Sequence, residues 1–305
     1  MAQIEKKKGV LIRRKQRLIN DLQSWVWLLP AVIVLYLMIW RPTVMGGVWS
    51  LFKMKGYKPI EFIGLKNFFE VVRDTNFIPM LMNTLKYVVC SLVVGFIPPF
   101  LLAVMVNELR CFKNGMKTII YLPAVVPGVA ALLMWSYIYA PDHTGLLNML
   151  LGAFGMEPYG WLMDEKLTIL YIIVSMTWSG CAGAMLLYFS SLQSVTTELY
   201  EAATIDGAGI FRKFRHVTIP QVGGVLLLQL IQQIISVFQV MEQPMAMTGG
   251  GPNNASISIG FQIYRYGFVN GRAGHAMALS VISFIFLLCL TAFYFKLQKK
   301  IESNL

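Results

Sequence analysis

EAATIDGAGIFRKFRHVTIP, running from Glu201 to Pro220, is a polar island between two apolar stretches, each long enough to cross a membrane. Thr196 and Thr197 are placed to cap a short helix ahead of it. Glu198 and Glu201 fall in or near its first turns, where carboxylates suit the positive end of the dipole. Gly207 and Gly209 then break that helix. A second helix puts Ile210, Phe211, Phe214 and Val217 on one face, and Arg212, Lys213, Arg215 and His216 largely on others. Pro220 is expected to stop it and to open the next span. A short helix pair tethered at both ends cannot bury an apolar stripe against itself, so the pattern predicts a cytoplasmic docking element. The rival is an amphipathic pair lying on the bilayer surface.

The rest of the chain supplies the membrane. Of 305 residues 56% are hydrophobic and 13% charged, which excludes an ordinary soluble domain. A span needs about 20 apolar residues, and six stretches qualify, near 25–50, 81–106, 117–140, 167–189, 222–246 and 275–295. The fold class expected is all-α, a polytopic membrane protein with six transmembrane helices. Residues 1–20 are expected to form a basic tail, 21–300 the six-helix transmembrane bundle with the island at 196–220, and 301–305 a C-terminal tail. Sixteen Lys and Arg fall in the tails and alternate loops on one side, against eight on the other, where seven carboxylates offset them. By the positive-inside rule both N- and C-termini, and the island with them, are cytoplasmic. The net charge of +11 flanks the spans, where it meets anionic membrane lipid rather than nucleic acid. The first span is too long for a signal-peptide core, no small-residue cleavage site follows it, and it is expected to be retained.

Glu201-Ala202-Ala203, Asp206-Gly207-Ala208, Phe214 and Ile219-Pro220 together resemble the EAA loop of ABC importer permease subunits. A further proline common in that loop is replaced by Gly224. Two other stretches resemble the carbohydrate and glycerol-3-phosphate branch of the family. One is the outer loop from Phe62 through Asn67-Phe68, with Phe77 and Asn83-Thr84 after it; the other is Thr248-Gly249-Gly250-Gly251-Pro252, with Tyr264 and Phe268 beyond. The resemblance implies a prokaryotic cytoplasmic membrane, a second homologous permease subunit, two ATP-binding subunits, an extracellular solute-binding protein and a carbohydrate substrate. It also implies alternating access, with ATP and Mg used by the partner ATPase and no cofactor in this chain. The residues it assigns to ATPase docking are Glu201, Ala202, Ala203, Asp206, Gly207, Phe211 and Phe214.

Within the spans, prolines at 98 and 99, and at 123 and 127, predict bent second and third helices. In the fifth, Gln229, Gln232, Ser236, Gln239 and Gln243 repeat at alternating intervals of three and four, and Gln233 lies beside them. On one continuous helix all six share a third of the circumference. Lipid satisfies no amide, so the stripe faces other helices or a water-filled path, and amides match the donor and acceptor pattern of sugar hydroxyls. Glu242 lies off the stripe toward the outer half, with Arg41 or Lys86 as candidate partners. Trp135, Tyr137, Trp178 and Phe238 are candidates for stacking on sugar faces.

Several chemistries are excluded. Cys90, Cys111, Cys181 and Cys289 lie far apart without a CxxC pairing. His143, His216 and His275 are scattered, which argues against a metal site. The three glycines before Pro252 are not a phosphate cradle, because no Lys-Ser/Thr follows and no strand precedes. No nucleophile set assembles, so no enzyme is expected. The first outer loop is too short for a large inserted domain. The sequence leaves the solute open among oligosaccharide, monosaccharide, polyol and glycerol phosphate. The functional rival is an ATP-independent channel or facilitator, in which the polar stripe is the pore.

Overall fold

A computed structural model describes residues 23–109 and 111–302. The expected tail at 1–20, and residues 303–305 of the expected C-terminal tail, lie outside the described residues. The chain folds as α1 (Gln23–Trp49), a hairpin of β1 (Phe52–Lys55) and β2 (Lys58–Phe62), α2 (Lys66–Arg73) and α3 (Phe77–Glu108). Next come α4 (Lys113–Val125), α5 (Gly128–Ile138), α6 (Leu146–Ala153) and α7 (Thr168–Gln193). The remainder is α8 (Thr197–Ile205), α9 (Ile210–Phe238), α10 (Ile259–Tyr264) and α11 (Ala273–Glu302).

Among the described residues five helices, α1, α3, α7, α9 and the α11 segment Ala273–Lys296, are long and apolar enough to span a bilayer. A sixth span exists if α4 and α5 are taken together, and they meet at 92°. Val126 is extended there (φ −69°, ψ 126°), as steric clash with a following proline ring demands, and Pro127 has no N–H to continue the ladder. The expected bend is thus a full break. The hairpin adds a small β element to the expected all-α fold. Gly56, at φ +58°, supplies its turn, and Phe52 pairs with Phe62, their rings 5.4 Å apart.

Three prolines inside the other spans are absorbed differently. A π-helical turn ends two residues before each of these: Tyr36–Trp40 before Pro42, Leu92–Phe96 before Pro98, and Phe214–Thr218 before Pro220. In the last, Ile219 N–H bonds to the Phe214 carbonyl, five residues back, so the ladder widens where the ring would clash. Pro220 therefore does not stop the second island helix, which runs through it into the fifth span as one helix, α9.

That span is shorter than expected, ending at Phe238 rather than near 246. Pro244 cannot donate to the Val240 carbonyl, and the Ser258 hydroxyl takes that acceptor instead. Gly260 seals the junction, since a Cβ there would lie 2.5 Å from the Gln239 carbonyl oxygen and 2.7 Å from that of Val240. Lipid offers apolar side chains no less than the protein does, so the bundle is held by packing and internal hydrogen bonds. One packed cluster, Phe100, Ala103, Val106, Met185, Tyr188, Phe189, Leu192 and Val222, lies at the end carrying the island. Another, including Val71, Met80, Phe238, Ile257, Phe261 and Leu279, lies at the far end.

Candidate functional site

The island folds as a helix, a tight turn and a second helix. Thr196 holds the N-cap position of α8 without a side-chain capping bond, so the expected cap is positional only, and Glu198 lies in the first turn. At the other end Ala208 N–H reaches the Ala203 carbonyl (2.8 Å) and Gly207 N–H the Thr204 carbonyl (3.0 Å). Those two bonds, with Gly207 at φ +72°, form a Schellman cap whose C-cap residue is Asp206. Two further bonds brace the pair: Lys213 Nζ donates to Thr204 Oγ1 (2.7 Å), and the Tyr200 hydroxyl meets Thr218 Oγ1 (3.0 Å).

This brace leaves an apolar tip in the open. Ile205 is 87% exposed, Ile210 86% and Phe211 89%. Glu201, Ala202, Asp206 and Gly207 are exposed around it, and Ala203 is half-buried under the cap. Phe214 turns the other way, packing 5.9 Å from the Phe100 ring against the island-end cluster. Of these two phenylalanines, three residues apart, one faces out and the other anchors the element to the bundle. Lys117 Nζ sits 3.8 Å over the Phe189 ring of the same cluster.

The amide stripe is split as well. Gln229, Gln232, Gln233 and Ser236 share α9, whereas Gln239 follows its last turn and Gln243 precedes the π-helical turn Pro244–Thr248. The six do not form one ladder, because the helix that would align them ends at Phe238. Gln233 and Ser236, with Gly95, Thr177 and Gly180, line a cavity of about 120 Å³ between α3, α7 and α9. Gly95 lets the Gln233 amide lie against the crossing: a Cβ there would come within 2.7 Å of Gln233 Nε2 and turn the amide aside. A second cavity, about 70 Å³, lies where the break of the third span meets the end of the fifth, with Val126, Gly128, Trp135, Ser175, Ser179, Glu242 and Gln243 on its wall. Trp135 Nε1 is buried and has no hydrogen-bond partner among the described residues. Of the aromatic candidates, Trp135 and Trp178 meet edge to face at 6.0 Å and Tyr137 is exposed. Phe238 is buried and stacked on Phe286 at 4.9 Å, so it is a packing residue.

At the far end the Gly249–Ser258 loop is pinned into the bundle by residues that spacing alone did not mark. Asn83 Nδ2 donates to the Asn254 carbonyl (2.8 Å), the Tyr87 hydroxyl donates to that of Ser256 (3.0 Å), and Thr84 Oγ1 accepts from Ile259 N–H (2.9 Å). Thr248 and Ser256 hydroxyls meet at 2.7 Å, and Asn253 bonds Glu165 of the loop before α7. Pro244, four residues beyond the freed Val240 carbonyl, was the one local signal for this arrangement. Nearby, burial would raise the Asp74 carboxyl, but hydrogen bonds from Tyr266 and Asn76 hold it below its ordinary value; Tyr266, desolvated and facing that carboxylate, is pushed up to about 12. Among the described residues no cluster of His, Cys, Asp and Glu could hold a metal ion.

The comparisons agree on one assignment. A probable ABC transporter permease protein of Bacillus subtilis strain 168, YurN, is 32% identical over 285 residues, covering 92% of this chain and 97% of its own. The trehalose/maltose transport system permease protein MalF of Thermococcus litoralis is 30% identical, covering 90% and 93%. In structure, a chain of a bacterial ABC transporter involved in the import of the acidic polysaccharide alginate matches with a TM-score of 0.83 at 24% identity, over 95% of this chain and 99% of that one. The family model described as the binding-protein-dependent transport system inner membrane component matches residues 95–303, so the protein belongs to that family of ABC transporter permeases.

Proposed function

We propose that this chain is the membrane half-channel of an ATP-driven sugar importer. It moves a sugar or oligosaccharide across a prokaryotic cytoplasmic membrane by alternating access, with a second homologous permease, two ATP-binding subunits and an extracellular solute-binding protein. The island is its ATPase-docking element, and both chain termini lie on the island side. One observation carries this: Ile205, Ile210 and Phe211 stand almost fully exposed on a loop that is internally braced and fixed to two spans. Three large apolar side chains held rigidly in water are a preformed half of an interface. Glu201, Ala202, Asp206 and Gly207 form its rim, and Phe214 conveys movement of the tip to the cluster around Phe100.

Sugar as cargo is supported by the printed names of relatives, which include trehalose/maltose and arabinooligosaccharide permeases. It is supported also by a cavity wall of amide and hydroxyl groups, Gln233, Ser236 and Thr177. The path in this chain runs along Gln229, Gln232, Gln233 and Ser236, with Gln239 and Gln243 at its far mouth. ATP hydrolysis belongs to the partner.

Affinity purification from the native membrane, beside a Glu201→Ala/Gly207→Val double variant, tests this. The expected result is that an ATPase and a second permease accompany the parent chain and that the variant loses the ATPase. A chain that purifies alone and moves solute without ATP is a facilitator, and the docking assignment fails.

A further inference from the structure

The cavity of about 70 Å³ between the two helix breaks is lined by a single ionisable residue, Glu242. Its side chain is exposed. Among the described residues no cation comes within ion-pairing distance of it and no hydrogen bond holds it, so Arg41 and Lys86 are not its partners. Glu242 lies four residues beyond the end of the fifth span, and a carboxylate so close to the spans persists where water, a counter-charge or a passing polar group meets it. Two breaks converge here, the 92° bend of the third span and the end of the fifth, and both leave irregular backbone around the cavity. Irregular backbone at membrane depth is tolerated where it lines protein or a water-filled space.

Resting on the permease assignment made above, we propose that Glu242 is a charge filter on the solute path, admitting neutral and amino-bearing sugars and rejecting uronates and other anions. The cavity presents one ionisable acceptor, the Glu242 carboxylate. A sugar hydroxyl donates to it, and an ammonium answers it by a charge-assisted bond. A uronate carboxylate only accepts, and it meets a like charge. Ser175, Ser179 and Gln243 complete a polar wall without adding charge.

The test uses the assembled transporter in its membrane, with the four native cysteines replaced by alanine and one reporter thiol introduced by Ser179→Cys. Labelling rates are measured with a cationic and an anionic methanethiosulfonate of similar size, in the Glu242 background, in Glu242→Gln and in Glu242→Asp. The expected result is a preference for the cationic reagent that falls by about tenfold in Glu242→Gln and is retained in Glu242→Asp. An equal ratio in the Glu242 and Glu242→Gln backgrounds overturns the proposal, because a proton or a neighbouring chain's cation then already neutralises the carboxylate. Absence of labelling by either reagent overturns it too, since the cavity is then not on a wet path. ATPase co-purification is scored on the same samples, so loss of the importer assignment is read separately: a chain without an ATPase that still shows the tenfold change has the filter but not the coupling.

Discussion

The two ends of the bundle handle the same problem, an irregular glycine-containing connection beside a membrane span, in opposite ways. At the island end, the cap at Gly207 satisfies the backbone internally, the Lys213–Thr204 side-chain bond braces the pair, and Ile205, Ile210 and Phe211 are left facing outward. At the far end, the Gly249–Ser258 loop turns inward, and Asn83, Thr84 and Tyr87 of α3 take up its backbone groups. Both connections are ordered, but only one is complete within this chain. A loop whose polar groups find partners in its own bundle is part of the scaffold; a loop that satisfies itself and exposes apolar side chains is, on the docking proposal, a plug for another protein.

The contrast breaks most sharply at Gly207. No atom would clash with a Cβ there, so the cost of Gly207→Val is the left-handed backbone at φ +72°, about 1–3 kcal/mol of local strain. Opening that cap should cut ATP-dependent uptake more than about tenfold, as 1.4 kcal/mol of lost docking already would, with membrane levels of the chain unchanged. A Gly207→Val variant that retains full uptake would sink the docking assignment.

At the far end the expected loss is stability. Thr84→Val leaves the buried Ile259 N–H without its acceptor and should cost about 1–3 kcal/mol, seen as a lower unfolding midpoint of the purified protein in detergent. Tyr87→Phe, which removes only the bond to the Ser256 carbonyl, should cost about 1 kcal/mol. If neither midpoint moves, the inward clamp is incidental.

Phe211 and Phe214 sharpen the comparison inside the island itself. Phe214→Ala should cost about 1–2 kcal/mol of stability, seen as a lower unfolding midpoint and less than for a fully buried phenylalanine because it is half-buried. Phe211→Ala should leave the midpoint in place and weaken ATPase retention. Equal effects of the two on stability would erase the distinction between tip and anchor.

The smallest effect concerns acid. The folded Asp74 carboxyl titrates below its ordinary value, so its bonds with Tyr266 and Asn76 stabilise the far end above the ordinary carboxylate range and are lost as pH falls through the folded value. Between pH 5 and pH 3 the parent should lose about 1–2 °C more in midpoint than Asp74→Asn, which has no proton to gain. Identical acid profiles would remove Asp74 from the clamp.

Much of this molecule could be read along the chain because the cues are local. Apolar runs of span length, the glycines at 207 and 209, and the Val126–Pro127 step each act on their own few residues, and the helices, the island turn and the break in the third span follow from them. Where a proline's effect depended on whether the ladder could widen, local reading failed: Pro220 neither stops nor starts a helix, because the π turn at Phe214–Thr218 absorbs it. Where partners came from far along the chain, it failed as well. Ser258 claims the Val240 carbonyl and Gly260 lets its own segment pack against the end of α9, and so they divide a stripe of amides that spacing made continuous. Periodicity and capping set which segments are helical. The ends of those helices, the faces they turn inward and the cavity they leave around Glu242 were decided only by packing, because an orphaned carbonyl in a membrane bundle is claimed by whichever donor the fold brings to it.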